Sequence, residues 1–425
     1  MRIPKFFPKQ ERSIKESNAF LNVWVGAVRS GKTHASIFRF GHYIMNAPPG
    51  ELCILGKSMG SIKRNILAPM AEMFGNVFTY SIGKGEAILF NRKIHLIGAN
   101  DERAEHKIRG PSFAGAYVDE VTIIPQGVFQ MLVSRLSVPG AKLFATTNPD
   151  SPFHWFKVEF LDRASDWNLT CFDFLLDDNV YLEPSYVKTI KSGYRGLWYD
   201  RYVLGKWVLA EGTIFDFFDE KTHTIEFAPG NASYYVVGVD YGTTNPCAFS
   251  LIGYSDKTYP NRWLEKEYYY DSKAMMRQKT DTEYADDFIK FTQGYRINSV
   301  YVDPSAASFK LELMRRGIDI VKDADNEVLD GIRFHSNLLS NGGFKVLKSC
   351  KNAIKEYGTY RWDAKAANRG VDQPIKENDH VLDSIRYALY SHWYQADKAL
   401  SVDEYRAMQN PNALNHGKFF ENRMW

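Results

Sequence analysis

Residues Gly26-Ala27-Val28-Arg29-Ser30-Gly31-Lys32-Thr33 place two glycines, a lysine and a hydroxyl at the spacing G-x-x-x-x-G-K-[ST]. The chemistry this spacing serves is phosphate binding. Glycines let successive backbone N–H groups close around phosphate oxygens, Lys32 brings a mobile positive charge, and the Thr33 hydroxyl can ligate magnesium. The run follows an apolar string, LNVWV, and precedes a helix-like one, HASIFRFGHYIM, the context a phosphate loop needs and a chance glycine-rich turn does not. A second apolar run, Gly115–Val118, ends in Asp119-Glu120. There Asp119 is expected to hold magnesium through water and Glu120 to orient the attacking water, although a carboxylate pair at a strand end could also cap a helix. A third run ends in Thr146-Thr147-Asn148-Pro149, whose hydroxyls and amide can sense a terminal phosphate and relay its loss; in isolation it reads equally as an Asn-Pro turn. Phosphoryl transfer also calls for a guanidinium. Arg29 inside the loop, Arg109 and Arg135 are the candidates, in cis or in trans.

The second half of the chain carries a different constellation. Asp240 ends the strongest strand, YYVVGV. Asp303 ends Ser299–Val302 and precedes Pro304. Asp383 lies on a helix-like segment one turn after His380, with Asp379 beside it. His380 and Asp383 are spaced i,i+3 and so share a face. Two strand-end carboxylates and one helix carboxylate can converge on two hard cations about 3.5–4 Å apart, which is how phosphodiesters are cut. Singly each residue has a plainer reading: an Asp-Pro turn at 303, a helix cap at 379, a packed ring at His380. Glu265 and Glu267 could add a fourth carboxylate.

These residues need elements to position them. Short apolar runs at Asn22–Gly26, Leu52–Gly56, Ile94–Gly98, Gly115–Val118 and Lys142–Thr146 end in Gly, Asp or small polar residues, the pattern of parallel strands feeding loops at one sheet edge. Beyond Asn148 the sequence is aromatic and irregular, with helical-hairpin character over Glu183–Trp207. Tyr234–Val239, Cys247–Gly253 and Arg262–Tyr270 read as an antiparallel meander. A helix over Thr282–Thr292, a strand over Ser299–Val302 and an amphipathic helix over Asp379–Trp393 follow. The expected fold class is α/β throughout, with a mainly parallel sheet in the first domain. The expected division is a motor-like domain over 1–207 (its helical hairpin subregion about 150–207), a linker over 208–232, a second α/β domain over 233–395 and a polar tail over 396–425.

Composition agrees with a globular protein of 425 residues: 44% hydrophobic and 24% charged. The net charge of +3 conceals a split, because residues 1–110 carry 17 Lys and Arg against 8 Asp and Glu, a balance of +9 that leaves −6 for the remainder. A basic region that meets a polyanion and an acidic region that holds metal would produce this division, as would uneven solvated faces. Cys53, Cys171, Cys247 and Cys350 lie far apart with no CxxC pair, which argues against a disulfide framework or a zinc site. No apolar run approaches the ~20 residues that span a bilayer, and no signal-peptide pattern opens the chain.

Taken in order, GAVRSGKT, AYVDE and TTNP, then VGVDYG, YVDPS and DHVLDSIRYAL, resemble the large terminase subunits of tailed bacteriophages, over about residues 20 to 393. The resemblance implies a P-loop ATPase followed by a ribonuclease-H-like nuclease: a motor that translocates double-stranded DNA into a procapsid and an endonuclease that cuts the concatemer. It implies ATP with Mg2+ held by Lys32, Thr33 and Asp119, with Glu120 as the hydrolytic base and Thr146-Thr147-Asn148 as the coupling motif. Gln10 takes the place of an adenine-contacting glutamine, Arg135 that of a trans-acting arginine finger and Arg29 that of an arginine within the phosphate loop. For the nuclease it implies two divalent ions, Mg2+ or Mn2+, on Asp240, Asp303 and Asp383 with His380 alongside. The implied partners are DNA, a small terminase subunit, a portal protein and further copies of the chain in a ring, in the host cytoplasm and with no membrane. Two alternatives are a helicase- or repair-type ATPase/nuclease and an NTP-binding assembly factor with an inactive nuclease-like domain. A helicase would need a second motor domain where this sequence has its carboxylates, and an assembly factor would have no use for Glu120.

Overall fold

The computed structural model describes residues 5–394; the tail expected over 396–425 lies outside the described residues. The chain divides into two compact units. One comprises the residues up to Lys191 with Leu197–Ala210 and Ala364–Asp372; the other comprises Ser192–Gly196, Glu211–Asp363 and the residues from Gln373.

The first unit is built on eight strands: β1 (Leu21–Gly26), β2 (Glu51–Gly56), β3 (Phe78–Ser81), β4 (Glu86–Leu89), β5 (Arg92–Gly98), β6 (Phe113–Val118), β7 (Lys142–Thr147) and β8 (Leu169–Phe174). Their order is β3-β4-β5-β2-β6-β7-β1-β8. From β5 to β8 every pairing is parallel, and β3 and β4 add an antiparallel edge. β1 and β6 are buried along their whole length, with one apolar core on each face of the sheet. This two-sided burial is why their sequences are unbroken apolar runs rather than alternating ones. Helices α1 (Pro8–Glu16), α2 (Lys32–Asn46) and α3 (Gln126–Arg135) belong to this unit. The helical character expected over Glu183–Trp207 takes the form of two short helices, Pro184–Gly193 and Gly196–Tyr202. β8 falls in the stretch read as irregular; it is a partly exposed edge strand and so lacks an apolar signature.

The second unit holds seven strands: β9 (Thr224–Ile225), β10 (Tyr234–Asp240), β11 (Cys247–Tyr254), β12 (Arg262–Tyr270), β13 (Ile297–Val302), β14 (Val321–Asp323) and β15 (Phe344–Leu347), in the order β14-β13-β10-β11-β12-β15-β9. β10, β11 and β12 form the expected antiparallel meander, and β13 lies parallel to β10 on its other side, the ribonuclease-H-like arrangement. β9 and the short helix Glu220–His223 lie inside 208–232, so that stretch is more than a linker: it supplies the sheet's last strand. Two paired residues are too few for any periodicity to reveal.

Helices α4 (Asp281–Thr292), α5 (Lys351–Thr359) and α6 (His380–Leu389) complete the parts of this unit that matter for function. α6 crosses β10 at close range. A Cβ on Gly238 would stand 1.8 Å from the Ser384 carbonyl oxygen, so only glycine permits this approach. The Ser250 and Ser384 hydroxyls meet at 2.5 Å across the same contact. α6 was expected to be amphipathic, yet Val381 through Leu389 are all buried. Its polar residues face inward because they form part of the site described below. Among the described residues no helix is long and apolar enough to cross a membrane.

Candidate active sites

In the first unit β1, β6 and β7 are adjacent and parallel, so the segments that follow them emerge at one sheet edge. The phosphate loop leaves β1, Asp119-Glu120 leaves β6, and Thr146-Thr147-Asn148 closes β7. Gly31 adopts a left-handed conformation, φ 83°, at the start of α2 and turns the loop into the helix. Lys32 is buried. Its Nζ donates to the Ala27 carbonyl at 3.0 Å and to Asn148 Oδ1 at 2.7 Å, tying the phosphate loop to the end of β7. The Thr146 hydroxyl donates to Asp119 Oδ1 at 3.1 Å and accepts from the Glu120 amide at 3.2 Å, while Asn65 Nδ2 donates to Asp119 Oδ2 at 2.9 Å. Thr147 Oγ1 donates to Thr122 Oγ1 at 3.0 Å. Gln10, buried in α1, accepts from the Phe7 amide and donates to the Gly31 carbonyl at 2.9 Å, which fastens α1 to the loop.

Burial sets the electrostatics here. It pulls the Lys32 ammonium down to about 8 against the opposing pull of Glu120 and Asp119. It pushes the Asp119 carboxyl up to about 7, with the Glu120 charge adding to the rise. Two non-glycine residues at this edge are left-handed, Arg29 at φ 58° and Glu120 at φ 52°. Such backbone costs about 1–3 kcal/mol and persists only where its surroundings hold it. Arg29 is exposed on the phosphate loop, its carbonyl accepting from Asn179 Nδ2 at 2.7 Å. Ser30 Oγ donates to Ala27 O at 2.9 Å, Val28 N to Tyr202 O at 3.0 Å, and Thr33 sits half-buried at the start of α2. Arg135 ends α3, half-buried, with its Nε hidden and without a hydrogen bond; Arg109 lies on the surface paired with Glu105.

In the second unit β10 and β13 point the same way, so Asp240 and Asp303 leave the sheet side by side, and the Asp303 amide donates to the Val239 carbonyl at 3.2 Å. α6 brings His380 and Asp383 to the same edge. His380 Nδ1 meets Asp240 Oδ2 at 2.8 Å. Tyr387 donates to Asp303 Oδ2 at 2.9 Å, and Ser305 donates twice to Asp303 Oδ1, through its amide and its hydroxyl, at 2.7 Å. Arg386 Nε and Nη2 both reach Asp383 Oδ1 at 3.1 Å, and Lys376 Nζ reaches Asp383 Oδ2 at 3.1 Å.

Burial lifts Asp240 to about 6 despite the His380 contact, and lifts Asp379 in the same direction. Burial works against a charged His380, but Asp240 carries the ring above its usual value. It works against Asp303 too, where the Ser305 donors win and hold the carboxyl below its usual range. Tyr387 lies within electrostatic reach of Asp240, Asp303 and Asp383, all of which help to push its hydroxyl well up after burial.

Three carboxylates are the donor set that hard divalent cations take, and in that respect the residues fit such ions. Each is nonetheless held by protein donors. Among the described residues no three His, Cys, Asp or Glu side chains form a group that could hold a metal ion. Glu265 and Glu267 do not join them: Glu265 accepts from the Trp263 ring nitrogen, and Glu267 caps α5 by accepting the Asn352 and Ala353 amides.

Several partners in these sites are invisible to a reading of motifs. Asn65 stands in a π-helical turn, Lys63–Leu67, and meets Asp119 across 54 positions. Glu356 accepts the Val381 and Leu382 amides at 2.8 and 3.0 Å, capping α6 from a different helix. Arg386 and Tyr387 did leave a signal, since they stand three and four residues after Asp383 on one helix and share its face.

Comparison with known proteins finds large terminases of bacteriophages. A family model described as "Terminase large subunit, T4likevirus-type, N-terminal" matches residues 23–222. The large terminase subunit of Escherichia phage T5 is 26% identical over 191 residues; the match takes in 43% of this chain and 42% of that protein, so this chain spans less than half the length of that curated relative. The large terminase of a thermophilic bacteriophage is 36% identical, with a TM-score of 0.85 over 92% of this chain and 99% of that one. The same phage's enzyme in complex with ATP-gamma-S is 35% identical, with a TM-score of 0.84 over 91% of this chain and 99% of that one.

Proposed function

The chain belongs to the large terminase family, and we propose that it is both the motor and the cutting enzyme of a genome-packaging machine. The observation that carries the motor half is the network at the sheet edge of the first unit, where Lys32 joins the phosphate loop to Asn148 and Thr146 joins Asp119 to Glu120. Lys32 holds the β- and γ-phosphates, Glu120 orients the attacking water, and Gln10 positions the loop from behind. Magnesium, held by Thr33 and through water by Asp119, would neutralise phosphate charge. Arg29 supplies a guanidinium from within the loop, and Arg135 is the candidate for a neighbouring subunit's site. Loss of the γ-phosphate changes what Lys32 pairs with, and Asn148 carries that change into β7, which gives Thr146-Thr147-Asn148 its coupling role.

The second unit cuts DNA in this account. Asp240, Asp303 and Asp383 would hold two divalent ions, Mg2+ or Mn2+, and such ions when bound would supply water activation and charge stabilisation for the leaving oxygen of a phosphodiester. The chain's own contribution is orientation: Tyr387 and Ser305 fix Asp303, Arg386 fixes Asp383, and His380 holds a proton at Nδ1 against Asp240. The substrate is concatemeric double-stranded DNA, and the partners are a small terminase subunit, a portal and further copies in a ring, in the host cytoplasm. The ADP and ATP-gamma-S complexes of the thermophilic phage's enzyme support ATP as the fuel.

Glu120→Gln is expected to lower ATP turnover at least 100-fold while nucleotide binding, read by fluorescent-analogue titration, stays measurable. Undiminished turnover would remove the hydrolytic role. Asp240→Ala is expected to abolish Mg2+- or Mn2+-dependent plasmid cleavage with ATP turnover intact. Persistent cleavage in that variant would overturn the metal assignment.

A further inference from the structure

The loop between β12 and α4, residues 271–280, starts at the same sheet edge as the cutting carboxylates. Tyr270 pairs with Cys247 and Tyr269 with Ala248, which itself pairs with Asp240. The Tyr269 ring lies 6.5 Å from the His380 ring. The loop is a built turn. Asp271 accepts the Lys273 and Ala274 amides through its side chain and the Met275 amide through its carbonyl, and the Arg277 amide returns to the Ser272 carbonyl. Ser272 Oγ and Lys273 Nζ anchor it to Thr244 and Asn245 of the neighbouring loop.

What this turn does is present two methionines to solvent. Met275 is 62% exposed and Met276 is 92% exposed, and Met276 is held at φ 51°, a conformation unbranched side chains rarely adopt. Lys273, bound through its Nζ to Asn245, and Arg277, ion-paired with Glu283, flank the pair, and the exposed Thr243, Thr244 and Asn245 stand beside it. Two side chains are far too small a patch for a stable protein partner, which buries about 800 Å² per side. Apolar side chains among cations and small polar groups, at the edge where a duplex must be cut, match the wedge by which proteins part base steps in the minor groove.

We propose that residues 271–280 form a duplex-engaging wedge. Met275 and Met276 enter the minor groove and open a base step, while Lys273 and Arg277 exchange their Asn245 and Glu283 partners for the flanking phosphates. The bent duplex is thereby seated against Asp240, Asp303 and Asp383. The proposal rests on the cutting role given to the second unit, but its test does not.

The full chain is mixed, in EDTA, with a linear duplex carrying 2-aminopurine, whose fluorescence rises when its base unstacks. The wild type should raise the signal. A variant carrying Met275→Ser and Met276→Asn should not, since asparagine keeps the left-handed turn while removing the apolar tip. A variant with leucine at both positions should restore the signal. With metal added, the Ser/Asn variant should need about tenfold more DNA to reach half-maximal cutting, since a lost base-step wedge forfeits contact energy of that order. Equal fluorescence and equal KM for the variant and the wild type would overturn the proposal. So would an unchanged DNA response accompanied by loss of self-association in sedimentation, which would make the tip a protein contact. A wild type that unstacks DNA through these methionines yet never cuts would retire the nuclease reading and leave the wedge standing.

Discussion

His154 shows how a single buried side chain can stand behind a working motif. Its Nδ1 accepts from the Phe156 amide at 3.1 Å, so its Nε2 carries the proton and donates to the Thr122 carbonyl at 3.1 Å. Thr122 in turn holds Thr147 of the Thr146-Thr147-Asn148 segment. Burial depresses the ring to about 4. The folded state therefore binds fewer protons than the unfolded chain below the ordinary histidine value of 6.5, so the stability present above that pH is lost as pH falls toward 4. The loss should reach about 2–3 kcal/mol. Urea unfolding between pH 4 and 7 should reveal that slope in the first unit, and His154→Gln should flatten it; an unchanged slope would mean the ring titrates normally. The phosphate loop, Asp119-Glu120 and Asn148 were legible in the sequence because their chemistry fixes both residue type and local spacing. His154 and Asn65 were not, because they reach the site only through contacts made by folding, 32 and 54 positions away.

At the scale of elements, α6 decides the geometry of the second unit's carboxylate site, and two residues outside it hold it in place. Glu356 in α5 takes the role that a capping residue would normally take: Asp379 makes no side-chain cap, and the free amides of Val381 and Leu382 go to Glu356 instead. Gly238 in β10 lets the helix approach. Glu356→Ala should destabilise the second unit by about 1–3 kcal/mol, since it strands two buried amides. Gly238→Ala should cost a similar or larger amount, because its Cβ would meet backbone that has no rotamer to yield. Both effects can be read as a shift in the denaturant midpoint of the second unit. A midpoint unchanged in both variants would show that α6 is held by other means. The strands and the order of the meander were legible because parallel, doubly buried strands leave unbroken apolar runs. The helix itself was legible only in part. Its period suggested one wet face, whereas Asp383 and Arg386 are buried as a pair.

Across the whole molecule the division into a basic beginning and a more acidic remainder fits one unit built around phosphate and another built around carboxylates. One part of the architecture could not have been read. Ala364–Asp372 belongs to the first unit although it lies deep in the sequence of the second. Within the first unit Asp372 meets Arg201, whose Nη1 lies 3.1 Å from Asp150, and both Arg201 and Asp372 are almost fully buried. No local pattern announces a pair 171 positions apart. The ordered motifs resembled those of large terminases, and a likeness that covers 99% of a solved large terminase agrees with that order.

The central claim is that one chain carries two separate metal-dependent sites. Crystals grown with ATP-gamma-S and Mn2+, with data collected at the manganese absorption edge, test it directly. Anomalous density is expected beside Thr33 and Asp119 and again among Asp240, Asp303 and Asp383, with Lys376 displaced from Asp383. Nucleotide and manganese at the first position with no density at the second would contradict it and leave a motor without a cutting site.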